Sequence, residues 1–131
     1  MVTHSLRLTK HMDLKEKLVE FTKENNISAG IILTCVGCIY KGTIRLADGV
    51  STKAFDEKLE ILSLSGTLSK DGVHLHISLS TKDGMVFGGH LMDGCLINTT
   101  AEIVIGSLPD TIFSREFDSS TGYTELLISK I

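Results

Sequence analysis

The sequence lacks the features that mark several broad protein classes. It has one proline, Pro109, and only three cysteines. So few thiols, odd in number, do not build a disulfide framework. The cysteines read as reduced, and the expected compartment is the cytoplasm. No apolar run approaches the ~20 residues of a membrane-spanning helix. Residues Met1–Ser5 lack the basic-then-apolar pattern of a secretory signal, so none is expected. There is no internal repeat and no low-complexity tract. Basic residues do not cluster, and 13 Lys and Arg against 16 Asp and Glu leave a formal charge of −3. Binding a phosphate backbone or an anionic membrane needs a concentrated basic face, so the charge supports neither partner.

What is present is the composition of a folded protein. The 131 residues are 42% apolar and 22% charged, which suits a single domain over residues 1–131 with its own core. The mean hydropathy is slightly positive. That much apolar surface calls for burial in the core or in an oligomer interface.

Hydrophobic spacing gives one helix and many strands. Leu14, Leu18 and Phe21 recur at helical spacing between Asp13, a predicted N-cap, and Asn25-Asn26, which tolerate a helix's C-terminal turn. Leu6–Leu8 predicts a strand before it. After it, Ile27–Ile39 predicts a buried strand broken near Gly37. Further strands are predicted at residues 41–47, 58–65, 72–80, 85–92, 101–106 and 124–128. One helix followed by many strands predicts an α+β fold: a mostly antiparallel β-sheet packed with one main helix and short helical segments.

The most informative stretch is Val73-His74-Leu75-His76-Ile77-Ser78-Leu79-Ser80-Thr81, a Lys82-Asp83-Gly84 turn, and Met85-Val86-Phe87-Gly88-Gly89-His90-Leu91. A two-residue loop would mix apolar and polar residues on each face. A three-residue loop with Gly84 in the left-handed conformation gathers Val73, Leu75, Ile77, Leu79, Met85, Phe87 and Leu91 on one face. That register sets His76 opposite His90, with His74 two residues along on the same face. Opposed residues have Cβ atoms about 5 Å apart, so three imidazoles converge. Three neutral imidazoles with a vacant position make a divalent-metal site, with zinc the expected ion. His4 and His11 have no such spacing and are expected at the surface.

Other residues carry two readings each. Cys35-Val36-Gly37-Cys38 is a redox pair or half a zinc knuckle, or else two small buried thiols. Glu60 is a base or a partner of a metal-bound histidine, or else an exposed or ion-paired strand residue. Glu102, Arg115 and Asp118 are of similar kind but have no geometric argument.

These segments also carry a resemblance. Leu59–Thr67 (LEILSLSGT) and Gly84–Leu91 (GMVFGGHL) resemble the two signature segments of the plants and prokaryotes conserved, or PPC, domain. Val73–Ser80 is similar to the bacterial and archaeal version of the intervening strand. The resemblance implies an α+β fold with a large antiparallel sheet, a homotrimer and a stand-alone prokaryotic member. It implies metal binding through His74, His76 and His90, as in some relatives. It also implies a DNA-associated regulatory or assembly role, because plant members follow AT-hooks. No Arg-Gly-Arg-Pro core of an AT-hook occurs in this sequence, so DNA binding comes from analogy alone. The expectation is therefore a trimeric domain holding a metal. The alternative is a small metal-dependent enzyme of hydrolase or lyase type that uses the open coordination position.

Overall fold

The computed structural model describes residues 1–131. Nine strands and one helix follow in the order β1 (Val2–Thr9), α1 (Leu14–Glu24), β2 (Gly30–Arg45), β3 (Thr52–Phe55), β4 (Leu59–Ser69), β5 (Gly72–Ser80), β6 (Val86–Leu91), β7 (Leu96–Ser107), β8 (Thr111–Asp118) and β9 (Tyr123–Lys130). The chain is richer in strand than α+β suggests. α1 is its one helix, and the expected short helical segments are absent. No helix is long and apolar enough to cross a membrane.

Seven strands form one antiparallel sheet in the order β1-β7-β2-β4-β5-β6, with β3 pairing β2; β8 and β9 form a separate two-stranded sheet. β2 changes partners along its length. Its first part lies between β7 and β4, and its end lies between β3 and β6. The sheet thereby rolls back on itself, because β6 returns to the strand from which β4 and β5 departed. The sequence predicts two strands over this stretch, Ile27–Ile39 and residues 41–47. β2 runs through it as one, with register shifts against β7 at Ile32/Thr34, Gly37/Cys38 and Ile39/Lys41. Such bulges bend a strand and disturb its two-residue period.

α1 forms where expected. The Asp13 carboxylate accepts a hydrogen bond from the Glu16 N–H at 3.1 Å, and its other oxygen accepts from the Gly94 N–H at 2.6 Å. The helix ends at Asn25, and Asn26 takes a left-handed φ of 53°. Leu14, Leu18 and Thr22 bury the inner helix face. Those two leucines join Ile39, Ile44, Leu59, Leu68, Leu75, Leu79, Leu91, Ile97 and Ile103 in a core cluster of 21 residues.

The β5–β6 hairpin has the register that burial requires. His76 pairs His90, Ile77 pairs Gly89 and Leu79 pairs Phe87. Thr81 and Met85 close the turn by a backbone hydrogen bond at 2.9 Å, and Gly84 has a φ of 82°, a conformation cheap only for glycine. Met85 departs from expectation. It lies outside β6 and is exposed. Gly89 meets a different need: a Cβ there would sit 2.5 Å from the carbonyl oxygen of Arg45. Its missing side chain lets β6 close against β2.

Candidate metal centre

The shared face of β5 and β6 holds the three histidines. Alternation sends Leu75, Ile77 and Leu79 into the core, so His74 and His76 must point outward. His90 stands opposite His76. The ring centroids are 4.9 Å apart for His74 and His76, 5.3 Å for His74 and His90, and 5.7 Å for His76 and His90. One ring nitrogen from each lies within 4.8 Å of the others. Tetrahedral zinc, with bonds of about 2.1 Å, sets its nitrogens about 3.4 Å apart. Rotation of exposed imidazoles spans that difference. His74 and His76 are exposed and His90 is half-buried.

The donor set suits a cation. His90 Nδ1 is buried without a hydrogen-bond partner. Desolvation, then the charge of Arg45, pushes the His90 pKa down to about 4, with His74, His76 and Lys15 adding to the shift. Desolvation also lowers the pKa of His74, followed by His76 and Arg115, while Glu125 opposes. Both imidazoles are therefore neutral at pH 7 and offer lone pairs, the form that a metal requires.

Two arginines that no local sequence signal marks flank the triad. Arg45 of β2 pairs directly with His90. Thr67 of β4 pairs His74, and its Oγ1 accepts a hydrogen bond from Arg115 Nη2 at 3.0 Å. Arg115 comes from β8, so the second sheet reaches the histidines. Val73, His74, His90, Arg45, Arg115 and Tyr123 line a cavity of about 300 Å³ beside the triad.

The remaining candidates lie elsewhere. Glu60 is exposed and pairs Ser80, four residues along β5 from His76. At ~3.3 Å per residue that is roughly 13 Å away, too far to act on the triad. Cys35 is buried, and desolvation pushes its thiol up to about 11. Cys38 is half-buried and its Sγ donates to the Asn98 carbonyl at 2.9 Å. Cys35 therefore lacks the exposed thiolate that a reactive thiol needs. Cys95 is buried too. His11 is exposed, with its Nδ1 2.8 Å from the Tyr40 hydroxyl. His4 is half-buried, edge-on to Phe21. Glu102 and Asp118 lie outside the cavity lining, and Asp118 caps its own turn through Ser120.

Comparison with known proteins follows this geometry. Over 128 residues (98% of the chain) the sequence is 46% identical to the bifunctional protein GlmU of Synechococcus sp. (strain JA-3-3Ab), of which it covers 21%. Over 117 residues (82% of the chain) it is 33% identical to the AT-hook motif nuclear-localized protein 10 of Arabidopsis thaliana, of which it covers 33%. The chain thus spans between a fifth and a third of these relatives. A hypothetical protein from Salmonella enterica has the same fold, with a TM-score of 0.94, 37% identity and coverage of 98% and 94% of the two chains. A metal-containing protein from Archaeoglobus fulgidus follows with a TM-score of 0.84, 33% identity and coverage of 97% and 94%. The family model that describes the Plants and Prokaryotes Conserved (PCC) domain matches residues 1–109, from β1 through β7 and both signature segments; the chain belongs to that family.

Proposed function

We propose that this chain is a metal-binding PCC domain in which His74, His76 and His90 together hold one divalent ion, zinc first among the candidates. The observation that carries the reading is the convergence of three ring nitrogens within 4.8 Å, with the buried Nδ1 of His90 unpartnered. The metal-containing relative from Archaeoglobus fulgidus supports it. Three protein ligands leave a coordination position open. Metal analysis of untagged protein reconstituted with zinc tests the reading. One ion per chain is expected, falling to near zero in His90→Ala. A wild type that takes up no zinc ends it.

The proposed working form is a homotrimer with a regulatory or assembly role. Its support is apolar surface left uncovered in one chain: Leu33 and Val36 on β2, and Phe117, Leu127 and Ile128 on β8 and β9 are all exposed. Apolar side chains left exposed in this number suit cover by further copies of the chain. DNA binding by this chain alone is expected to be weak, non-specific and steeply salt-dependent, since the net charge is −3 and no AT-hook core is present.

The second reading is a small metal-dependent hydrolase or lyase, favoured by the cavity beside the triad. A bound divalent ion would supply Lewis acidity and an acidified water. Arg45, Arg115 and Tyr123 would bind and orient the substrate there. Turnover of a panel of esters, lactones and phosphates that is lost on chelation and restored by zinc would establish it. Metal-dependent stability without turnover would leave the ion a structural role.

A further inference from the structure

No sequence pattern marks the cavity beside the triad, and the family model ends before three of the residues that line it, Arg115, Tyr123 and Thr124. Arg45 enters from β2, because its pairing with His90 puts both side chains on one face. Arg115 enters from the far side, held by Thr67, itself the ladder partner of His74. The two guanidinium groups therefore flank the histidines from opposite directions. Tyr123 closes the wall between them, with its ring 6.0 Å from the Arg45 Cζ.

Neither guanidinium has all its donors paired inside the chain, although Arg115 Nη2 donates to Thr67 Oγ1. Arg45 Nε and Arg115 Nε are both buried without a hydrogen-bond partner. The chain's two ion pairs, Lys17–Glu20 and Lys130–Asp110, involve neither arginine. Asp71, the carboxylate beside β8, accepts from the backbone N–H of Arg115 at 3.1 Å rather than from its side chain. Glu125 acts on His74 from β9, and Lys15 adds positive charge toward His90. A buried, unpaired guanidinium N–H costs free energy unless an acceptor arrives. Both arginines line one space of about 300 Å³, where an acceptor from outside can meet their remaining donors. A planar fork of donors matches the oxygens of a carboxylate or phosphate.

We infer that Arg45 and Arg115 form an oxyanion subsite beside the histidine triad, which takes the carboxylate or phosphate head of a small ligand. The inference rests on the metal reading for one contact only, a ligand oxygen at the open coordination position. The arginine contacts stand without it. The subsite also gives the β8–β9 sheet a function, since that sheet supplies Arg115 and Tyr123.

Calorimetric titration of the zinc-loaded 131-residue chain with inorganic phosphate and, separately, with pyruvate tests the subsite. One of the two is expected to bind, and whichever binds tighter identifies the head group as phosphate or carboxylate. Arg45→Gln and Arg115→Gln should each raise its Kd at least about tenfold, with zinc per chain unchanged. Arg115→Lys keeps the charge but loses the fork, and should fall between wild type and Arg115→Gln. Lys130→Gln, remote from the cavity, should leave the Kd unaltered. If the protein takes no zinc yet binds either anion in an arginine-dependent way, the metal reading fails and the subsite stands. If zinc is bound but neither anion binds below about 10 mM, or if both glutamine variants, shown to be folded by circular dichroism, bind as wild type does, the subsite is refuted.

Discussion

Two hairpins meet at the histidines, and they are built in opposite ways. In β5–β6, one face is core: Leu75, Ile77, Leu79 and Leu91 are all at most 3% exposed. The other face is free to carry His74, His76 and His90. In β8–β9 only Thr111 and Phe113 are buried, while Phe117 and Ile128 are 66% and 65% exposed. The first hairpin takes its shape from the interior of its own chain. The second presents apolar side chains with nothing over them, yet it delivers Arg115 and Tyr123 to the same cavity. Metal ligands gain from being preorganised on a rigid element, whereas a hairpin with an uncovered apolar face is suited to respond to assembly.

The strongest way to break this contrast is to hollow the first hairpin. Leu79 is fully buried beneath the histidine face. Leu79→Ala should cost about 2–5 kcal/mol of folding stability, because it removes buried methyl groups and leaves a cavity. Urea denaturation measures the loss. A value below ~1 kcal/mol would mean that the β5–β6 face is not rigid support.

Zinc should act on the same hairpin from its other side. An ion that binds only the folded protein stabilises it by about 2.7 kcal/mol at 100 times its Kd. Thermal melts with and without zinc should show that gain in wild type and lose it in His90→Ala. A zinc-induced shift that survives in His90→Ala would place the ion elsewhere.

A shallower effect concerns pH in the metal-free protein. The His90 pKa is depressed by burial to about 4, against an ordinary value of 6.5, and His74 shifts the same way. The unfolded chain therefore binds more protons than the folded one between pH 6.5 and 4. Stability is full above about 6.5 and declines as pH falls toward 4. His90→Ala should flatten that decline. An unchanged profile would show that His90 is not held neutral in the folded chain.

The difference between the hairpins also explains what the sequence reveals. The β5–β6 register is legible because seven apolar residues, from Val73 to Leu91, gather on one face only if a three-residue loop ends in Gly84. The histidine convergence then follows without further assumption. β9 is partly legible at Thr124–Ile128, but Ile112, Phe113 and Phe117 on β8 follow no two-residue period, since neither face of that strand is consistently buried. β3 is four residues long with one buried side chain, too little pattern to detect. β2 reads as two strands because its bulges break the alternation. Arg45 reaches His90 through a two-residue ladder between β2 and β6, a long-range pairing that leaves no local mark. Glu60 looks like a candidate beside the histidine strand, but counting along the ladder separates it from the site.

The smallest expected effect on stability sharpens the comparison most. Ile128 is 65% exposed on β9, opposite Phe113 in the register. Replacing an exposed side chain away from any cap or network shifts the stability of an isolated chain by no more than about 0.5 kcal/mol. If β8–β9 is covered by a neighbouring subunit, Ile128→Ser puts a hydroxyl into an apolar interface, and the loss appears in association. Light scattering at micromolar concentration should then report a trimer for wild type and smaller species for the variant, with circular dichroism unchanged. The oxyanion subsite supplies a second readout: a hairpin loosened by dissociation should hold Arg115 less firmly, so anion affinity should fall with the oligomer. Leu79→Ala would instead reduce stability first. A wild type that scatters as a monomer would remove the assembly argument and leave the exposed face of β8–β9 without a partner.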